Sequence, residues 1–200
     1  MTDNFNKIKE LLDFSEENTF YFIQILQRRK ENPEMKKGVR VIDNFYLYEL
    51  EDLDKLKEKI VESCEKYNAR AYINVNRLDL ERIALFTIKK ITDLVVQKQY
   101  KAIKNAYSAV CGAHTCESNK RWVVDIDEDE LKFKDEIVEI IKNLHKNVKK
   151  DYKILAEIPS KTGLHIISNP FNIKVFNEEI EKLDINIAVQ KNSPTILYTV

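Results

Sequence analysis

Two stretches decide how this chain reads: Trp122-Val-Val-Asp-Ile-Asp127 and Ser160-Lys-Thr-Gly-Leu-His-Ile-Ile-Ser168. Both carry the apolar, β-branched composition of short buried strands. Strand side chains alternate, so Asp125 and Asp127 project to one face while Val124 and Ile126 turn to the core. Their backbone sites stand roughly 6.6 Å apart, a spacing from which two carboxylates can converge on one divalent cation or on a pair. Oxygen donors of this kind suit Mg²⁺ or Mn²⁺. Two like charges side by side also require a cation or a basic neighbour. The competing reading makes Asp127 the cap of the acidic turn Glu128-Asp129-Glu130.

In the second stretch, Ser160, Lys161 and Thr162 offer two hydroxyls and an ammonium ahead of Gly163, where the backbone turns tightly or approaches a neighbour closely. His165 faces opposite to Leu164 and Ile166. Hydroxyls, a lysine and a histidine beside two acids are the parts needed to grip a triphosphate. The plainer alternative is a hairpin with a satisfied core histidine.

Outward from these stretches the pattern is α+β. Helices are expected over 4–13, 52–67, 79–97, 100–110, 129–147 and 172–183. Strands are expected over 19–28, 39–50, 70–75, 122–126, 152–158, 164–168, 185–189 and 195–199. In the helix 79–97 the apolar set is Ile83, Phe86, Ile88, Ile91, Leu94 and Val95. The order β-α-β-β-α-β-β in the second half places helices against an antiparallel-rich sheet. No Pro/Gly/Ser linker separates the halves.

Composition narrows the function classes. With 44% hydrophobic residues among 200, the chain can bury a normal core. The 33 basic residues balance 33 acidic ones, which excludes a uniformly basic nucleic-acid coat. The balance is uneven locally: net −2 over 1–60, +5 over 61–124 and −3 over 125–200. A phosphate-bearing ligand between the basic middle and the acidic last third suits that division. No apolar run reaches the ~18 residues of a spanning helix, and the N-terminus lacks an apolar secretion core, so a cytoplasmic protein without membrane partners is expected. Three cysteines do not make a disulfide framework. Cys111, His114 and Cys116 form C-x-x-H-x-C, one ligand short of tetrahedral zinc, with Cys64 or His145 as the candidate fourth. Small buried or loop thiols are the alternative.

Together, WVVDID and SKTGLHIIS resemble the archaeo-eukaryotic primase (prim-pol) superfamily, which has an acidic pair on an apolar strand, a helix, then a hairpin bearing a small-residue-x-His motif. The likeness covers about residues 120–200. It implies an RRM-like catalytic lobe over 119–200, preceded by a mixed α/β lobe over 1–118. It implies that Asp125 and Asp127 bind two divalent metals and that His165 contacts the incoming nucleotide's phosphates, aided by Ser160 and Lys161. The family's third motif, an apolar residue followed by an acid, has Leu183-Asp184 as its best match, making Asp184 the candidate third metal ligand. Lys191 is a candidate phosphate contact, and Arg70 and Arg77 are candidates for a nucleic-acid groove. The implied activity is primase/polymerase-like nucleotidyl transfer, with a nucleic-acid template, nucleoside triphosphates and a helicase as partners, in a bacterial or phage-infected cell. A degenerate relative that binds without turnover is the second reading. A metal-dependent nuclease recruiting Glu157 and Lys161 is the third.

Overall fold

A computed structural model describes residues 1–36, 38–114, 120–144, 153–192 and 194–200. The chain is mixed α/β, with two antiparallel sheets. The strands are β1 (Thr2–Asp3), β2 (Thr19–Arg28), β3 (Val39–Leu47), β4 (Arg70–Asn74), β5 (Leu78–Asp79), β6 (Trp122–Asp127), β7 (Ile154–Pro159), β8 (Gly163–Ser168), β9 (Ala188–Gln190) and β10 (Pro194–Thr199). The helices are α1 (Phe5–Leu11), α2 (Leu50–Tyr67), α3 (Leu80–Val96), α4 (Ala106–Ala113), α5 (Lys134–Asn143) and α6 (Ile173–Glu181). Short 3-10 turns at Tyr100–Asn105 and Glu128–Phe133 lead into α4 and α5. The helices expected from 100 and from 129 therefore begin as 3-10 turns. The expected end of the second, including His145, lies outside the described residues.

Local chemistry sets the element ends. Glu49 and Asp52 form a capping box that starts α2, and Asn68 closes it in the left-handed region at φ 43°. The Asp79 carboxylate accepts from the Arg82 backbone N–H at 2.6 Å and starts α3. The Asn172 side chain accepts from the N–H groups of Lys174 and Val175 to start α6.

The first sheet runs β1-β10-β4-β2-β3, with β5 added to β2; the second runs β7-β8-β6-β9. The second sheet and its helices form a β-α-β-β-α-β unit, the split arrangement in which sequence neighbours are interleaved. One expectation is corrected: the strand at 195–199 does not close this unit. Residues 195–199 are all buried and need neighbours on both sides, and β10 finds them between β1 and β4. The C-terminal segment thus returns to the first sheet and ties the halves together.

Three apolar clusters hold the layers. One face of the second sheet (Val124, Ile126, Leu164, Ile166) packs on α5 and α6 through Ile137, Ile141, Phe176 and Ile180. Its other face (Val123, Ile158, Ile167) joins the core that α1 and α2 form with the first sheet. The opposite face of β2 (Phe20, Phe22) is covered by α3 and α4 through Ile83, Val110 and Cys111. Of the apolar set expected to bury in α3, Ile83 and Leu94 are buried, whereas Ile88 and Val95 face outward. The helix carries more apolar side chains than one contact face takes. No helix among the described residues is long and apolar enough to cross a membrane.

Candidate functional site

β6 lies between β8 and β9, so its side chains are fixed from both edges. Asp125 stands opposite His165, and Asp127 opposite Gly163. Residues directly opposite in an antiparallel pair project to the same face. His165 Nε2 lies 3.3 Å from Asp125 Oδ1. The imidazole Nδ1 meets the buried Thr195 hydroxyl at 2.9 Å. Asp125 Oδ2 accepts from Gln190 Nε2 at 3.2 Å. The hydrogen bond with His165 holds the Asp125 carboxyl below the usual carboxylate range, against the opposing effect of its half-burial. Asp127 is exposed and makes no side-chain cap to the turn that follows it.

Gly163 is required by close approach. A Cβ there would stand 2.2 Å from the Ile126 carbonyl oxygen. Its glycine lets β8 lie tight against β6 where the acids are mounted, and the Ser160 N–H donates to the Gly163 carbonyl at 2.9 Å to close the hairpin. Ser160, Lys161 and Thr162 then line the same cleft as Asp125, Asp127 and His165. Lys161 Nζ also donates to the Val200 carbonyl at 3.1 Å.

The facing wall comes from the first sheet: Arg28, Lys30, Glu31, Arg70, Tyr72, Pro194 and Ile196, enclosing about 540 Å³. Arg70 Nη2 bonds Glu31 Oε1 at 2.5 Å, and Arg28 Nη1 donates to the Tyr72 hydroxyl at 3.2 Å. Arg70 Nε and Glu31 Oε2 are buried without a hydrogen-bond partner among the described residues. A buried guanidinium N–H without a partner costs free energy.

Other candidates are placed elsewhere. Asp184 ends the α6 segment in the left-handed region (φ 55°) and lines a separate hollow with Asp129, Glu130 and Glu181. Lys191 reaches over the Trp122 ring at 5.2 Å, and its neighbour Gln190 is the residue that enters the cleft. Arg77 is buried and held by Asp13 at 3.2 Å and Glu16 at 2.7 Å, so it braces the fold away from the groove, while Arg70 lies in it. Glu157 pairs with Lys134 at 2.6 Å and stands in register with Ile166, on the helix-covered side of the sheet. Cys64 and Cys111 are buried in different clusters, and His114 stacks on Phe86 with ring centroids 4.0 Å apart. Burial pushes both thiols up to about 12. Cys116 and His145 lie outside the described residues.

Arg28, Lys30, Tyr72, Gln190 and Thr195 were not read from sequence. For Arg28 and Lys30 the signal was present: a QRRK run at 27–30, where a strand meets its turn.

Among the described residues, no three His, Cys, Asp or Glu side chains converge as a metal cage. The oxygen donors on the β6 wall are the carboxylates of Asp125 and Asp127. One or two carboxylates, completed by phosphate oxygens and water, is how Mg²⁺ is commonly held, so this donor set fits a nucleotide-borne cation. No family model, curated protein or solved structure matches this chain.

Proposed function

We propose that the cleft seats a nucleoside triphosphate with a divalent cation, and that the chain is a primase/polymerase-like nucleotidyltransferase built on an RRM-like lobe. The observation that carries this reading is the meeting of Asp125, Asp127 and His165 with Ser160, Lys161, Arg28 and Arg70 in one open cleft. The strand order β7-β8-β6-β9 in a β-α-β-β-α-β unit supports the RRM-like assignment. Asp125 and Asp127 would hold Mg²⁺ or Mn²⁺, which supplies charge neutralisation at the transferring phosphate. The remaining work falls to the chain's own groups. Lys161, Arg28 and Arg70, which line the cleft, offer positive charge to the phosphate oxygens. Ser160 and Thr162 offer hydroxyls. The Thr195 hydroxyl fixes the imidazole of His165, whose Nε2 faces Asp125. A template strand, paired to the bound base, would supply selection of the nucleotide.

One observation favours the second reading, binding without turnover: Asp184 is not in the cleft, and the amide of Gln190 sits beside Asp125 instead. One experiment separates the two. Equilibrium binding of ATP and dATP with Mn²⁺ is measured beside incorporation on a primed template. Binding and incorporation are expected from the natural chain, and loss of both from Asp125→Ala with Asp127→Ala. Binding with no incorporation establishes the second reading. Undiminished incorporation by the double variant removes the first.

A further inference from the structure

We infer that this chain self-associates head to tail, the outward apolar stripe of α3 on one copy docking into the acid-rimmed hollow beside α6 on the next. The inference is independent of the nucleotide reading.

α3 has two apolar sides. Ile83 and Leu94 are buried, Ile83 against Phe20 and Phe22 of the first sheet and Val110 and Cys111 of α4. On the other side Leu85 is 61%, Ile88 63% and Val96 76% exposed, with Val95 beside them. Positions 85, 88, 92 and 95 follow the three-four spacing of a helix-packing seam, with Thr92 as its one polar member. Single exposed aliphatics are ordinary, but a contiguous row along three turns is a contact surface. Lys89 and Lys98 flank the row, and Tyr100 and Lys101 extend it; all four are exposed. Residues 81–104 hold six cations and two carboxylates.

The complementary surface is on the same chain. Phe133, Leu183 and Ile185 line a hollow of about 630 Å³, and Asp129, Glu130, Glu181 and Asp184 stand around it. Lys132 is the cation in that lining, and it lies over the Phe133 ring at 5.0 Å. A convex, lysine-flanked aliphatic row thus has a concave, carboxylate-rimmed, apolar-floored counterpart. The row is open to solvent in one molecule, so the pairing joins two copies, as a heterologous contact that propagates into a ring or a filament.

Charge decides among occupants. A symmetric α3–α3 contact would set lysine against lysine. A nucleic acid would be met by stacking aromatics rather than Leu, Ile and Val. A membrane surface is the remaining occupant, and the test below separates it. The carboxylates around the hollow complement the lysines that flank the row.

The test is sedimentation velocity of the full chain across concentration at low and high salt. The expected result is a weight-average mass that rises with concentration at low salt and falls with added salt. Ile88→Glu with Val96→Glu should sediment as monomer with unchanged circular dichroism. Lys89→Glu with Lys98→Glu, and separately Glu130→Lys with Glu181→Lys, should each weaken association at least tenfold. An equimolar mixture of those two charge-reversed chains should regain it, because each then offers the surface the other needs. A natural chain that stays monomeric throughout overturns the proposal, as does association that survives Ile88→Glu with Val96→Glu, or a mixture that fails to reassociate. A monomer that co-sediments with phosphatidylserine vesicles through Ile88 and Val96 also overturns it, and assigns the row to a lipid surface.

Discussion

Gly163→Ala puts one methyl group where the backbone of β6 already stands. The added Cβ would meet the Ile126 carbonyl oxygen at 2.2 Å, with the Ile126 carbonyl carbon and the Asp127 Cα at 3.2 Å. Close carbon–oxygen contacts in sheets fall at about 3.3–3.6 Å, so β8 must move away from β6 by roughly 1 Å. The obstacle is main chain and has no rotamer to give. Overpacking costs about 1–3 kcal/mol, and a backbone clash at a paired position belongs at the upper end. At about 3 kcal/mol the folding constant falls by roughly 100-fold. For a chain of this size Tm drops by about 2–4 °C per kcal/mol, or about 6–12 °C here. Gly112→Ala is the internal control: its Cβ meets only the end of the Gln24 side chain at 3.8 Å. In α4 it gains up to about 1 kcal/mol of helix propensity. The two alanines should therefore shift the melt in opposite directions, read by circular dichroism and by urea midpoint. The displacement also falls two residues from the Asp125–His165 pair, so Mn²⁺-dependent nucleotide binding should weaken by more than the loss of folded protein accounts for. A Gly163→Ala chain melting within about 2 °C of the natural one would refute the close-packing account of this hairpin.

Three further outcomes are expected. Cys64 and Cys111, whose thiols burial pushes up to about 12, should resist iodoacetamide at pH 8 in the folded chain and react on unfolding in urea; peptide mapping that finds either alkylated in native protein contradicts their placement. Thr195→Val removes the hydroxyl that meets His165 Nδ1 and should cost about 1–3 kcal/mol by leaving a buried ring nitrogen unpaired; Thr195→Ser should recover most of it, and equal loss in both would assign the effect to packing instead. Asp13 is held below the usual carboxylate range by hydrogen bonds from Ser15, with burial opposing and Arg77 and Arg121 adding to the effect. Its contribution is therefore present above its unfolded value, about 3.9, and is lost as pH falls through the lower folded value. The stability gap between the natural chain and Asp13→Asn should shrink on acidification from pH 5 to 2.5, and a gap that widens has the wrong sign.

Parity and address separate what the sequence discloses from what it hides. Alternation along 122–127 and 163–168 is a local property. It was enough to put Asp125, Asp127 and His165 on one side of a sheet, because a strand buried on its other face has no freedom to flip. The strand at 19–28 was legible for the same reason, since its run of aromatic and β-branched residues fits a pleated, buried surface. Address is not local. Residues 195–199 announce burial on both sides but not beside which strands, so β10 was assigned to the wrong sheet. Leu183-Asp184 has the letters of a motif, yet the strand begins only at Ala188, and the acid is left on a left-handed turn outside the cleft. Lys191 lies just past the end of β9, over the Trp122 ring, while Gln190 on the strand lines the cleft. Arg77 and Arg70 look alike in sequence. Only the carboxylates of Asp13 and Glu16, distant in the chain, turn the first into a brace.

The walls of the cleft belong to different sheets, so its charges act together only if the sheets are fixed to each other. Three ties do this. The Asn4 side-chain amide donates to the carbonyls of Pro159, at 2.8 Å, and Ile196, at 3.1 Å, one from each sheet. Thr195 of the first sheet holds His165 of the second. Val123, Ile158 and Ile167 are shared apolar ground. Breaking a buried hydrogen bond costs about 1–3 kcal/mol, so the spacing between Arg28 and Arg70 on one wall and Asp125 and Asp127 on the other is set before any ligand arrives. Within the cleft the polar groups already answer one another, Arg70 with Glu31 and Asp125 with His165 and Gln190. A ligand that draws Arg70 from Glu31 must return a negative charge to the guanidinium, and one that draws Asp125 from His165 must return a positive charge to the carboxylate. A polyphosphate carrying its own cation does both. A neutral nucleoside does neither, and it should leave these contacts as they are.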